Sequence, residues 1–230
     1  VGIGINPKLA QRVKDSDLIL AIGPRLGEMT TSGYTLLEVP KPKQKLVHIH
    51  ASAEELNRVY SADLAICATM NAAARSLEVL TAPAFVPWAD WAAQANADYQ
   101  ANIQPQALAG LPQDTAQGLV NMPEVVAVLQ KHLPADAVLT NGAGNFASWV
   151  HRYFKHHGLC KGFKTQLAPT VGAMGYGVPA AIGAQIAEPS KMVIPILGEG
   201  SFQLNIQELQ TIIQYKLPIK ILLFNNGAYG

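Results

Sequence analysis

Cysteine is scarce. Cys67 and Cys160 lie far apart in the 230-residue chain and form no CxxC pair, which excludes a disulfide framework and a cysteine-based zinc site. Neither sign of charge dominates: 17 Lys and Arg stand against 16 Asp and Glu, for a formal net charge of +1. The electrostatic footprint of a nucleic-acid binder or a membrane-surface protein is missing. No apolar run reaches the ~20 residues that span a bilayer, and no secretory leader pattern is visible. No nucleic-acid or membrane partner is expected, and the expected location is cytoplasmic. Charge is sparse overall, at 14%, against 49% hydrophobic residues. That excludes a disordered chain and allows a large buried core. The length fits one large or two ordinary domains. The chain starts at Val1 and stops at Gly230, soon after an apolar run ending at Phe224, so an internal piece of a longer protein is expected.

What is present is an alternation of short apolar runs with helical patterns. Asn6-Pro7 reads as an N-cap followed by proline, opening a helix to about Lys14. Residues 18–22 form a continuous apolar run, the pattern of a strand buried on both faces. Residues 46–49 and 63–67 read as further strands, the last placing Cys67 in the core, with a helix following to about Leu80. Ser52 and Glu55 have the spacing of a capping box. From about 82 to 118 the composition shifts to Ala, Gln, Pro, Asn and Asp. This reads as a linker with a helix from Trp88 to Tyr99, its tryptophans packing it onto a domain. The alternation then restarts. A helix is expected over 123–133, with Val125, Val126, Val128 and Leu129 on its apolar face, and a strand over 137–139. A small-residue helix follows over 177–186, then a strand over 192–197 despite Pro195, which gives no ladder hydrogen bond. Ile206, Leu209, Ile212 and Ile213 mark one helix face, and 219–224 the last strand. The fold class expected is α/β, with two parallel-sheet, doubly wound domains, both incomplete.

The stretch richest in chemistry is Gly198-Glu199-Gly200-Ser201 after one strand, with Asn225-Asn226 at the end of the next. In an open parallel sheet both lie at the carboxyl edge, where ligands bind. Glycines beside Glu199 let backbone N–H groups approach an anion, and a helix starting soon after Ser201 adds its positive end. One carboxylate and one amide oxygen next to phosphate donors suit Mg²⁺, which completes its shell with phosphate and water. Taken alone, the same residues also fit a tight turn and a polar strand end.

The longer context is more specific. Residues 198–209, then Leu217-Pro218-Ile219-Lys220 and Asn225-Asn226, resemble the diphosphate-binding motif of thiamine-diphosphate enzymes, most closely the acetolactate synthase-like branch. Residues 170–181 resemble that family's segment beneath the cofactor, and 142–149 its glycine-containing loop before a tryptophan-bearing helix. The first segment, around Ala21 to Arg25 and His48 to Glu55, looks like the latter part of its middle domain. The resemblance implies a middle-domain part over 1–82, a linker over 83–118 and a diphosphate-binding domain over 119–230. It implies thiamine diphosphate and Mg²⁺ as cofactors, with Glu199 and Asn226 ligating through side chains and Ala228 through its carbonyl. Gly198, Gly200 and Ser201 would hold the diphosphate, and Gly144, Asn145 and Phe146 would line that end. The Gly172 carbonyl would accept from the aminopyrimidine, and Met174 would support the cofactor's bent form. The implied reaction is decarboxylation of a 2-keto acid and carboligation. Alternatives are a related decarboxylase or acyltransferase, or a non-catalytic binding module. The activating glutamate belongs to a separate pyrimidine-binding domain of a partner subunit. No catalytic residue is therefore expected here, homo-oligomers are, and the chain alone should be inactive. FAD is a further possible cofactor, with Arg25 resembling the family's GxR arginine. The family usually has aspartate where Glu199 stands, and glutamine and histidine where Asn145 and Phe146 stand. His151, His156 and His157 read as surface helix residues, and Tyr176 and Val178 as an apolar contact surface.

Overall fold

A computed structural model describes residues 5–104, 120–157 and 165–228. Cys160 lies outside them. The chain divides into two compact units, Val1–Asn102 and Ile103–Gly230.

In the first unit, helix α1 (Pro7–Asp15) starts as its sequence dictates: the Asn6 side chain caps it by accepting from the Lys8 N–H, satisfying a donor that the first turn leaves free. Strands β1 (Leu18–Ile22), β2 (Lys45–His50) and β3 (Leu64–Cys67) form a parallel sheet in the order β1-β2-β3. Ala21, Leu46 and Tyr60 make its core, with Ile19 and Val13 of α1 packed against them. The opposite face departs from the sequence reading. Leu18, Leu20, Ile22, Leu64 and Ile66 are exposed, so β1 is buried on one face only among the described residues. Cys67, expected in the core, is exposed because β3 is an edge strand of this sheet and is exposed along its whole length; its Sγ is 3.7 Å from the Ala51 carbonyl. The capping box does not form. Residues Ala53–Glu55 make one 3₁₀ turn without a side-chain cap, because Glu55 is drawn away to Arg25 and Arg58, at 2.9 and 3.0 Å. Burial alone would push the Glu55 carboxyl up; its hydrogen bond and charge pairing with Arg25, joined by Arg58, outweigh this and hold it below its ordinary value. Helix α2 (Met70–Glu78) follows, capped by Thr69. Helix α3 (Ala89–Asn102) packs on α1: Arg12 pairs with Asp98 at 2.6 Å and lies over the Trp91 ring. Trp88 stays exposed.

In the second unit, helix α4 (Met122–His132) precedes β4 (Val138–Asn141) and helix α5 (Asn145–Tyr153), and β5 (Gln166–Leu167) follows. Helix α6 (Gly177–Ala187) leads to β6 (Val193–Gly198), then short helices α7 (Glu199–Gln203) and α8 (Glu208–Gln214) and strand β7 (Leu222–Phe224). All pairings are parallel, in the order β5-β4-β6-β7. Alternation along the strands feeds two cores, as a sheet covered on both faces requires. Leu139, Ile194 and Ile196 face Val126 of α4 and Val150 and Tyr153 of α5. Val138 and Val193 face Ala181 of α6, and Leu197 faces Val178 and Ile182. The α/β class with two parallel sheets is thus the observed architecture.

Three details depart from the sequence reading. Val128 is exposed while Val126 carries the α4 contact. Val178 is buried against Leu197 rather than on a contact surface, leaving Tyr176 partly exposed beside it. The helix expected through Ile206 is broken: a turn occupies residues 204–207, leaving Ile206 exposed, and Ile213 within α8 is exposed as well. Pro195 lies within β6 opposite Thr140, and the paired register of β6 with β7 starts at Ile196 and Leu222.

Candidate functional site

Gly198 ends β6 directly beside Phe224, which ends β7. The chain leaving each tip therefore emerges at the same place on the carboxyl edge. The helix starts earlier than its sequence suggests: Glu199 itself opens α7, with Gly198 extended as its N-cap. From the other tip, the Ala228 N–H donates to Asn226 Oδ1 at 3.0 Å and to Glu199 Oε1 at 3.2 Å. One amide thus bridges the two oxygens that the sequence singled out, 27 residues apart. Asn225 turns to the Gly227 N–H instead, at 2.9 Å.

A second cluster adjoins the first through α7. Ser201 is buried and accepts the Gly175 N–H on its Oγ at 3.0 Å. Asn205 Nδ2 donates to the Gly175 carbonyl at 2.7 Å. Thr140 Oγ1, wholly buried at the end of β4, donates to the Gly177 carbonyl at 2.7 Å. A Cβ on Gly142 would collide with Ser201 Oγ, so this glycine is what lets β4 and α7 meet. Phe146 lies over Gly198, where an added Cβ would sit 3.0 Å from its ring. Gly144 has φ +147 as the N-cap of α5, a backbone state open to glycine alone.

Of the predicted residues, Glu199, Asn226 and Ala228 are brought together, and Gly144, Phe146, Gly198 and Ser201 gather beside them. Gly200 lies in the first turn of α7 and Asn145 in that of α5. Gly172 and Met174 sit on the segment that the Gly175 bonds tie to α7, Gly172 with φ +70 and Met174 partly exposed. Sequence reasoning assigned no role to Thr140, Gly175 or Asn205. None of the three carries a signal in the sequence that names its partner.

The donor set decides which ion fits. Glu199 and Asn226 offer oxygen only, and no group of three His, Cys, Asp or Glu side chains able to hold a metal occurs among the described residues. A soft or nitrogen-seeking metal would find no ligands. A hard ion that takes the rest of its shell from phosphate and water fits.

Residues 1–77 match the central domain of the thiamine pyrophosphate enzymes, and residues 142–230 match their C-terminal TPP-binding domain. The chain belongs to the thiamine pyrophosphate enzymes. It is 31% identical over 225 residues to acetolactate synthase 2 of Nicotiana tabacum, covering 95% of this chain and 32% of that protein. To the isozyme 2 large subunit of acetolactate synthase from Escherichia coli K12 it is 29% identical over 218 residues, covering 95% of this chain and 36% of that protein. To the Arabidopsis thaliana acetolactate synthase it is 31% identical over 219 residues, covering 95% and 31%. The chain thus spans about a third of the length of these relatives. The matched TPP-binding domain contains every residue of the two clusters except Thr140. No helix among the described residues is long and apolar enough to cross a membrane.

Of the three histidines read as surface helix residues, only His151 is on a helix, where it is exposed. His151 is on α5, its Nε2 3.2 Å from Asn141 Oδ1. His156 and His157 lie beyond the helix, and His156 is half-buried against Phe154. Burial lowers the pKa of His151. Burial, then the neighbouring His151 and His157 charges, lowers that of His156. Because both titrate below the ordinary 6.5 when folded, the unfolded chain takes up protons first as pH falls. Their contribution is full above that value and is lost as pH drops below it. Thermal unfolding scanned from pH 8 to 5.5 should show a falling midpoint, with a shallower fall in His156→Gln. An equal slope in both proteins would rule out burial of His156 as a cause.

Proposed function

We propose that Glu199 and Asn226 hold Mg²⁺ through their side chains and Ala228 through its carbonyl, and that this ion clamps the diphosphate of thiamine diphosphate. The single observation carrying the reading is the Ala228 amide shared by Glu199 Oε1 and Asn226 Oδ1: two neighbouring strand tips direct oxygens to one point, where they already share a donor. Gly198, Gly200 and Ser201 approach the diphosphate, the last with its backbone, since its side chain is buried against Gly175. Gly144, Asn145 and Phe146 line that end. The Gly172 carbonyl accepts from the aminopyrimidine, and Met174 supports the cofactor from below.

When bound, thiamine diphosphate supplies the electron sink by which a 2-keto acid loses carbon dioxide and its carbon joins a second carbonyl. The chain's own residues bind and orient; none acts as acid or base. In this reading residues 1–82 close a middle domain, 83–118 link it, and 119–230 hold the cofactor. The activity proposed for the whole gene product is acetolactate synthase-like, in a homo-oligomer whose partner subunit contributes a pyrimidine-binding domain. FAD would sit at the carboxyl edge of the first sheet, near Arg25.

Calorimetric titration with thiamine diphosphate tests the binding. Saturable binding in Mg²⁺ that disappears with chelator is expected, and binding indifferent to chelator contradicts the metal clamp. A screen of the gene product against 2-keto acids for carbon dioxide release then tests the chemistry. Release from none of them would turn the reading toward a non-catalytic binding module.

A further inference from the structure

We propose that Asn205, acting with Ser201, is a positioning residue that fixes the segment carrying Gly172 and Met174 at a set distance from the helix carrying Glu199. The inference rests on the functional reading above. Its basis is the Gly175 peptide, which is gripped on both sides. Ser201 Oγ takes its N–H at 3.0 Å and Asn205 Nδ2 gives to its carbonyl at 2.7 Å.

Three features make this a registration device rather than incidental polarity. The orientation of the Asn205 amide is set, because Gln207 Nε2 donates to its Oδ1 at 3.2 Å, leaving the NH₂ to face Gly175. The approach is too close for any side chain: a Cβ on Gly175, whose φ is +86, would meet Asn205 Nδ2 at 2.8 Å and Leu204 Cβ at 3.2 Å. The helix also breaks where Asn205 is needed, with the turn at 204–207 separating α7 from α8. There the Asn205 N–H closes back on the Phe202 carbonyl at 3.3 Å, and its own carbonyl accepts the Glu208 N–H at 3.1 Å. The break that exposes Ile206 thus presents Asn205 to Gly175. Met174, one residue away, inherits its height from this grip, and Glu199 lies on the helix that supplies Ser201. Asn205 touches neither metal nor substrate; it acts through Gly175.

The test is a double-mutant cycle read in thiamine diphosphate affinity at saturating Mg²⁺, by calorimetry. Asn205→Asp keeps the shape and loses the donor, so its dissociation constant should rise at least tenfold while the thermal midpoint moves by a few degrees. Met174→Ala should weaken binding in the wild-type background and at least threefold less in the Asn205→Asp background, because the grip no longer sets the methionine's height. Ser201→Ala provides a second arm if Asn205→Asp folds poorly, with the same coupling to Met174→Ala expected. A lower thermal midpoint with unchanged affinity, or strictly additive effects, would reduce Asn205 to a stabilising residue and overturn the proposal. Wild-type protein that binds no thiamine diphosphate would instead overturn the functional reading, and this inference with it.

Discussion

Glu199→Gln should weaken thiamine diphosphate binding in Mg²⁺ at least a hundredfold. Glutamine is nearly isosteric, and its Oε1 can still accept the Ala228 N–H that Glu199 holds at 3.2 Å. The fold of the two strand tips should therefore persist. What is lost is the single negative charge in a donor set otherwise made of neutral oxygens. A divalent ion binding through so few protein ligands depends heavily on that charge, and the diphosphate depends on the ion. A hundredfold loss corresponds to about 2.7 kcal/mol, within the range for losing one charge-assisted contact. Asn226→Ala removes a neutral ligand and should cost less, about tenfold. Calorimetry in Mg²⁺ and in chelator separates the two effects: all variants should converge on one weak affinity once the metal is removed. Equal affinity of Glu199→Gln and wild type in Mg²⁺ would remove Glu199 from the metal's shell.

Gly177→Ala and Gly183→Ala should shift stability in opposite directions, though both change one helix by one methyl group. At Gly177 the new Cβ would press on Leu197 and lie 3.0 Å from the Gly142 nitrogen and 3.2 Å from the Asn141 carbonyl carbon. Two of these neighbours are backbone at the end of a fully buried strand, so they cannot step aside as a side chain would. The Gly177 carbonyl also accepts the buried Thr140 hydroxyl, a bond that any shift of α6 strains. Overpacking and a weakened buried hydrogen bond together should cost about 2–4 kcal/mol. At Gly183, in the same helix, a Cβ meets nothing within 4 Å. There alanine should stabilise by about 0.5–1 kcal/mol, through lower entropy of the unfolded chain and better helix propensity. Urea denaturation of the three proteins decides it. A neutral Gly177→Ala would show that α6 does not approach β4 as closely as described.

Most of the fold was legible because each element carries its own local signal. Asn6-Pro7 marked the start of α1, and the apolar runs at 18–22 and 192–197 marked β1 and β6 to within a residue or two. The failures share a cause, which is that the deciding partner is distant in sequence. An apolar run looks the same whether one face or both are covered, so the exposure of Leu18, Leu20 and Ile22 could not be read from it. Ser52 and Glu55 have capping-box spacing, yet Arg25, thirty residues away, takes the carboxylate. The apolar pattern from Ile206 to Ile213 promised a continuous helix, but Asn205 bonds to Gly175 instead, thirty residues upstream. The candidate site was legible as a motif: the two strand ends and their oxygens could be named. The grip on Gly175 could not, because serine and asparagine in a polar stretch give no hint of which backbone they will reach.

One ion joining two strand tips is what the cofactor site requires, and anomalous scattering reports on it most directly. In crystals grown with thiamine diphosphate and Mn²⁺ in place of Mg²⁺, a single strong anomalous peak should lie within about 2.5 Å of a Glu199 carboxylate oxygen and of Asn226 Oδ1. Cofactor density without a peak at that position, or a peak touching neither residue, would contradict it.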